Sequence, residues 1–558
     1  MDNIIVHLKH DARWHRTGST YARGSAFLGK KVLRDGDLSR AFAQHGNLDE
    51  FESLLKRMNG FFAVIHECPK EAYFAADHVR SFPLFYGQRG RSFFVSDDPF
   101  WIMENSNEHE ISELSAIEFL LAGFVVGDES LCKRVRQVRP GEIIHVSEGQ
   151  GCFLVANARH YRFPDGNVRH ETHEALMSRL SEASESAVRH LIELAQDRTI
   201  VVPLGAGADC RLIVLMLKRL GYDKVIAFSY GRPGNSESGV AKKVASALGI
   251  QWRFVPYSNE AWGKWSRTDE WEDYTRMASG LSSVPHLQDW PAIWELRREG
   301  AIPQDSVIAP GHLSAAWNPP VEWIERRVIS EDDFLDSIIK RFYDPIDWSG
   351  SNEMLRRILR QRIAASLKTH RMYHPEEALT DYERWWWQEE EAKFIINSVR
   401  VYDFWGYEWW LPLWDKEFAE FWSSLPVVHT LDREIKKEYV ERLQKEQIGR
   451  NIEFGRPSRI LALADRLAAV SHLQRQGREL YGLRQYDKDQ FGWYGITPEQ
   501  VFRGTFTGTQ DINSYVGMQT IQNIFPNWGD SLRQGPFMHT STVKFALAHT
   551  TLTHSYKL

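Results

Sequence analysis

The sequence predicts a mixed α/β chain built in two styles, layered sheets with a few helices up to about residue 165, then a parallel sheet with helices that passes into mainly helical structure. Three observations carry this. Short β-like runs, divided by turn residues, crowd the first part. From Arg198 apolar strands alternate with amphipathic helices, the texture of a sheet covered on both faces. At 558 residues the chain also exceeds what one hydrophobic core organises, so two or more domains are expected.

Taken in order, FFAVIH (61–66), AYFAAD (72–77), PLFYG (83–87), SFFVSD (92–97) and EIIHVS (142–147) join β-branched and aromatic residues into strand-length runs. LDEFESLLKRM and ELSAIEFLLAG carry helical spacing between them. A polar segment, FPDGNVRHETHE, leads into an amphipathic helix from about His173 to Gln196. Next come the strand TIVVPL, a helix to about Leu220, the strand KVIAFSYG, a helix across SESGVAKKVASALG and the strand QWRFVPYS. Beyond about residue 260 the pattern is mainly helical with long polar connections, and the final hundred or so residues carry no readable chemistry.

Composition narrows the function. Charged residues make up 25% of the chain and the net charge is −6, with no basic stripe of the kind a phosphate backbone demands, so nucleic acid is not expected as a partner. The four cysteines, Cys68, Cys132, Cys152 and Cys210, form neither a CxxC pair nor a metal-ligand cluster, and a reduced, cytoplasmic setting is expected. MDNIIVHLKHDARWHR lacks the apolar stretch of a secretory signal, and the most apolar window, IEFLLAGFVVGD, is too short to span a bilayer, so no membrane association is expected. Many of the 21 tryptophans fall in WWWQEEEAKFIINSVRVYDFWGYEWWLPLW, where they read as core and interface filler among solvated or paired acids.

The chemistry centres on VVPLGAGADCRLIVLMLKRLGY, Val201–Tyr222. An apolar strand breaks at Gly205-Ala206-Gly207-Ala208, and a helix begins with Asp209 as a possible cap. Such a turn exposes backbone N–H groups and a helix N-terminus to an anion, and glycine admits the close approach of phosphate. A plain tight turn with an Asp cap has the same form.

The next strand and helix follow at the right distance, and the whole resembles the asparagine synthetase family. That family's pyrophosphatase-loop motif, Ser-Gly-Gly-x-Asp-Ser, aligns with Gly205, Ala206, Gly207, Ala208, Asp209 and Cys210. Ser229, Tyr230 and Gly231, with Asn235 and Glu237 before the next helix, match the segment that holds adenine and ribose. PGHLSAAW, with Gly311 and His312, stands where relatives carry an acid-containing loop for pyrophosphate and Mg²⁺, and GYEWWLPLWDKEFAEFW resembles the Arg-x-Pro-Phe-Leu-Asp-Lys element. MNGFFAVIHE, AADHVRSFPLFYG and FVSDDP resemble the class II glutamine amidotransferase domain.

The resemblance implies an Ntn-type αββα sandwich over residues 1–165, an ATP-pyrophosphatase domain with a helical C-terminal part over 166–455, and an extension, 456–558, of unknown role. It implies a nucleotide site of Gly205, Ala206, Gly207, Asp209, Cys210, Ser229, Tyr230, Gly231, Glu237 and Gly311, with ATP and Mg²⁺ as cofactors, Asp209 holding the metal, and Asp209 and His312 in catalytic roles.

Departures from the family temper this. Two motif serines have become Gly205 and Cys210, and each lost hydrogen bond to a charged group removes about 1.5–3 kcal/mol. Cys210 reads either as a nucleophile near a helix N-terminus or as a small buried replacement for Ser. Ala315 stands in the place of the loop acid, leaving Glu391 or Asp415 to compensate, and His312 could meet phosphate. The family's lysine is missing from NIEFGRPSRI, which offers Arg456 and Arg459, whereas Lys436 and Lys437 in DREIKKEYVERL read as surface lysines. The chain begins Met1-Asp2 where the glutaminase needs a cysteine, so glutamine hydrolysis is not expected and nitrogen would come from ammonia or an amine. The leading expectation is an ATP-dependent ligase that adenylates a carboxylate and forms an amide, with oligomerisation open. The rival is a non-catalytic relative that keeps the fold as a binding or assembly scaffold.

Overall fold

Two sheets laid face to face, their strands falling between Asn3 and Arg159, form the framework of the N-terminal part of the computed structural model. The structure describes residues 3–453, except 10, 46, 150–151, 165, 167, 313, 315–319, 344–352, 368, 427–428 and 430–433, together with 496 and 512–528. The strands are β1 (Asn3–His7), β2 (His15–Thr17), β3 (Thr20–Leu28), β4 (Lys31–Arg34), β5 (Met58–Cys68), β6 (Glu71–Ala76), β7 (Phe85–Arg89), β8 (Ser92–Ser96), β9 (Arg136–Gln137), β10 (Glu142–Glu148) and β11 (Phe153–Arg159). One sheet runs β1-β8-β7-β9, and the other runs β11-β10-β6-β5-β3-β2 with β4 joined to β3.

Strand β5 shows why both faces of the larger sheet are apolar. Side chains alternate across a strand, so Phe61, Ala63 and Ile65 enter the core shared with the smaller sheet, while Phe62 and Val64 enter a second core. That second core is closed by α1 (Asp35–Ala43) and α2 (Leu48–Arg57), through Leu38, Phe42, Phe51, Leu54 and Leu55. The start of α2 is set by Asn47, whose side chain accepts from the Glu50 N–H at 2.9 Å. On the far side α3 (Pro99–Asn105) covers β7 and β8, which completes the αββα order. Beyond it, α4 (Glu113–Leu121) is capped by Ser112.

After α5 (His173–Ala195) the chain builds a parallel sheet from β12 (Ile200–Pro203), β13 (Val225–Gly231), β14 (Gln251–Pro256), β15 (Val307–Ile308) and, past the antiparallel pair β16 (Ile329–Ser330) and β17 (Met372–Tyr373), β18 (Glu408–Trp409). Its order is β14-β13-β12-β15-β18, with every pairing parallel. Ile200, Val201 and Val202 are all fully buried, as a strand covered on both faces requires. Helix α6 (Ala208–Arg219) links β12 to β13, and α7 (Ser236–Leu248) links β13 to β14. The chain moves outward from β12 in one direction to β14, then returns to β12's other side with β15. The C-terminal ends of β12 and β15 therefore flank a topological switch point, where open α/β sheets bind ligands.

The two halves share one apolar core. Phe82 stacks on Trp409 at 5.2 Å, and Phe61 meets Trp410 edge-on at 4.6 Å. Asn59 donates to Asp415 at 3.0 Å and accepts from the Lys416 N–H at 2.9 Å. Trp385, Trp387, Trp410, Trp414 and Trp422 are buried, in line with their reading as filler. Four acids among them, Glu389, Glu391, Asp403 and Asp415, are buried as well, and Glu389 is ion-paired to Lys393 at 2.5 Å with both side chains out of water. Among the described residues no helix is long and apolar enough to cross a membrane.

Candidate functional site at the sheet switch point

The turn after β12 lies at the switch point. Leu204 N–H still bonds the Phe228 carbonyl at 2.8 Å, after which the chain leaves the sheet and α6 begins with Gly207 as its cap. Gly207 is exposed, and a Cβ built on it would meet nothing within 4 Å. Beneath it the buried Arg211 guanidinium donates to the Ala206 carbonyl at 2.9 Å and to the Ile452 carbonyl at 2.8 Å. In a trans peptide the carbonyl and the following N–H point in opposite directions. An Ala206 carbonyl turned inward thus turns the Gly207 N–H outward, next to the unsatisfied N–H groups of the first turn of α6.

The other sequence-expected residues take different places around this turn. Glu237, in the first turn of α7, leans over Gly205, so that a Cβ there would stand 3.2 Å from its Oε2. Gly311, after β15, approaches Cys210 so closely that a Cβ would lie 2.5 Å from Sγ. Burial, then the charge of Asp209, pushes the Cys210 thiol up to about 12, against the opposing amides of Gly311 and Gly205. Cys210 is half-buried, and the helix N-terminus does not make it a thiolate.

Ser229 and Tyr230 spend their hydroxyls inside the protein. Ser229 donates to the Leu204 carbonyl at 2.6 Å and accepts from Trp252 Nε1 at 3.0 Å, pinning the end of β12. Tyr230 donates to Asp289 at 2.5 Å, and Tyr402 donates to the same carboxylate. Burial, reinforced by that carboxylate, holds the Tyr230 phenol protonated. Gly231 closes β13 with φ +119°, a conformation that L side chains rarely adopt.

His312 follows Gly311 and shares a hydrogen bond of 3.1 Å with Ser398. Burial, with His286 adding to it, lowers its pKa to about 4, so near pH 7 it is a neutral imidazole that offers hydrogen bonds and no charge. The rest of that loop, Leu313 and Ala315–Trp317, lies outside the described residues, as do Arg456 and Arg459.

Three sequence readings are corrected here. Lys436 is no surface lysine: it is buried on the helix Glu434–Ile448, and its ammonium is ion-paired with Asp209. Helical periodicity could not reveal this, because burial there depends on where that helix lands. Glu391 and Asp415, weighed as substitute metal ligands, are committed elsewhere. Glu391 accepts from Trp414 Nε1 at 2.8 Å, while Asp415 caps the helix Lys416–Ser423 and binds His190 Nδ1 at 2.7 Å. Asp209 remains the carboxylate at the turn. Among the described residues no three His, Cys, Asp or Glu gather into a metal cage. Mg²⁺ needs none, since it binds through one or two carboxylates together with substrate phosphates. Asp209, partly exposed at the turn, is the carboxylate in that position, and its Oδ1 is paired with Lys436.

Fold and turn together define a parallel α/β switch-point protein joined to a two-sheet sandwich. By sequence the chain is similar to a protein of Acanthamoeba polyphaga mimivirus described as a probable glutamine-hydrolysing asparagine synthetase, 25% identical over 232 residues, 38% of this chain and 37% of that relative. The match thus spans little more than a third of the relative's length. No family model matches the chain. Among solved structures, a B. subtilis glutamine phosphoribosylpyrophosphate amidotransferase complexed with ADP and GMP is 11% identical, covers 54% of this chain and 64% of that one, and has a TM-score of 0.18. Another, described as the allosteric regulatory enzyme of purine biosynthesis, is 10% identical, covers 66% of this chain and 80% of that one, and has a TM-score of 0.19.

Proposed function

We propose that this chain is an ATP-dependent carbon–nitrogen ligase. A substrate carboxylate oxygen attacks the α-phosphorus of ATP and pyrophosphate leaves. The nitrogen of ammonia or an amine then attacks the acyl carbon, AMP departs, and the nitrogen loses a proton. The observation that carries this reading is the Gly205–Gly207 turn, held by Arg211 so that the Gly207 N–H and the first amides of α6 face outward at the sheet's switch point. The similarity to the viral protein supports the same class of chemistry.

Within this reading the outward amides bind the polyphosphate and stabilise charge as pyrophosphate departs. When bound, Mg²⁺ neutralises phosphate charge, and Asp209 is the side chain that would hold it. His312, neutral and half-buried, can donate or accept a hydrogen bond beside the acyl group without adding charge.

A second reading, a scaffold without catalysis, draws on the internal commitment of Ser229 and Tyr230. Calorimetry with ATP and Mg²⁺, followed by assays for pyrophosphate and AMP with candidate carboxylates and amines, separates the two. Binding that disappears in Asp209→Ala, together with pyrophosphate release, supports the ligase. Binding without release under any substrate mixture supports the scaffold, and absence of binding overturns the nucleotide site itself.

A further inference from the structure

Strands β1 and β11 each end a sheet, so among the described residues each presents one edge that no other strand covers. Both border the same cavity, about 480 Å³ in volume. Its apolar side is Ile4, Ile5 and Val6 of β1 with Phe153 of β11, whose ring is held by Phe93 at 5.4 Å. Next to Phe153, Leu154 is 62% and Val155 46% exposed, and side chains alternate across a strand, so β11 is apolar and open to solvent on both faces. Free strand edges are usually blunted by lysine, proline or a bulge. The NIIVH of β1 carries neither lysine nor proline, and the FLVANAR of β11 has a charge only at Arg159, whose guanidinium turns back to the Pro140 carbonyl and to Gln388.

The rim decides which strand such an edge suits. Glu67, Glu71 and Glu148 line the cavity against Lys70 alone. Glu71 accepts from the Tyr73 hydroxyl at 2.7 Å and binds His145 Nε2 at 2.9 Å, and these bonds hold its carboxyl below the usual range, ionised at neutral pH. Among the described residues none of the three acids is ion-paired with a lysine or arginine. The cavity thus combines apolar surface with an excess of negative charge. A second copy of this chain would set the same acids against one another, whereas a peptide bearing lysine or arginine answers them.

We infer that the free edge of β1 takes up an extended peptide from another chain, one face of which carries both apolar and basic side chains. The peptide backbone pairs with β1 as an added strand. Residues i, i+2 and i+4 of that strand face the cavity, where apolar ones pack against Ile5 and Phe153 and basic ones meet Glu67, Glu71 and Glu148. The five residues of β1 give a contact about 16 Å long. The groove shares no residue with the turn after β12, so this inference stands apart from the ligase reading.

The test uses the full-length protein and the fluorescein-labelled octapeptide Thr-Lys-Thr-Val-Thr-Lys-Thr-Val, read by fluorescence anisotropy. This peptide is expected to bind saturably, and more weakly as salt rises, while the same peptide with glutamate in place of lysine does not bind. Proline at its fifth position keeps the charge but removes a backbone N–H and is expected to weaken binding about tenfold or more. Glu148→Lys should weaken the lysine peptide about tenfold or more and admit the glutamate peptide, a gain that a misfolded variant would not show. Hydrogen exchange at Asn3–His7 should slow when the lysine peptide binds, with β14, an edge of the parallel sheet, unchanged. The inference is overturned if the parent fails to bind the lysine peptide, if the proline peptide binds equally well, or if Glu148→Lys keeps its affinity within about twofold of the parent. It is equally overturned if protection of Asn3–His7 without peptide rises with protein concentration, because a second copy then occupies the edge.

Discussion

Cys210 Sγ lies against the backbone of Gly311 so closely that a single carbon added to that glycine would come within 2.5 Å of the sulfur. The turn after β12 and the loop after β15 are locked together by this contact. Gly311→Ala is expected to force the two loops apart, with a cost of about 1–3 kcal/mol, as for other overpacked sites. A fall in denaturation midpoint measured in urea checks it. A midpoint equal to that of the parent would show that the loops yield freely.

The thiol itself is expected to be inert. With its pKa pushed up to about 12, Cys210 carries almost no thiolate at neutral pH. Cys152 is exposed. Iodoacetamide at neutral pH should therefore label Cys152 in the native protein and reach Cys210 only after unfolding, as read by peptide mass spectrometry. Rapid native labelling of Cys210 would refute the raised thiol pKa.

His190 gives stability a defined pH slope. Burial works against its protonation, but the hydrogen bond that His190 donates to Asp415 and the charges of Asp415, Glu417 and Glu193 outweigh it, and the pKa is raised. A raised folded-state pKa means that the stabilisation is complete below the ordinary histidine value of about 6.5 and fades as pH rises through the folded value. Melting temperature should decline across that window in the parent, and the decline should be shallower in His190→Asn. Parallel curves for the two proteins would disprove the assignment.

Lys393 and Glu389 form the buried pair of the tryptophan-rich stretch. The ammonium also donates to the carbonyls of Val125 at 2.7 Å and Gly127 at 2.6 Å, and the Gly127 N–H returns to Glu389 at 3.0 Å. Lys393→Met strands a buried carboxylate and is expected to cost about 3–5 kcal/mol. Adding Glu389→Leu should recover a large share of that loss, because no buried charge is left alone. Chemical denaturation of the two variants supplies both values.

Local pattern made much of the scaffold readable. The alternation of Phe61, Ala63 and Ile65 against Phe62 and Val64 marked β5, and the unbroken apolar run at Ile200–Val202 marked a strand buried on both faces. Elements whose apolar character is thin escaped, such as β2 and β4, at three and four residues, and β11, whose Leu154 is 62% exposed. At the switch point the position of the turn was legible because glycine interrupts the strand. The ion pair between Asp209 and Lys436 was not, since the two residues are separated by 227 positions in sequence. Nor was the engagement of Ser229 and Tyr230, whose partners Trp252 and Asp289 come from later segments.

The stacking of Phe82 on Trp409 and of Phe61 against Trp410 has a practical corollary for dissection. Cutting the chain near residue 165 would strip the indoles from the N-terminal piece and the phenyl rings from the remainder, leaving each fragment with an oily scar. Such fragments are poor candidates for separate expression, whereas co-expressing them should let the rings re-engage and return a soluble, nicked molecule.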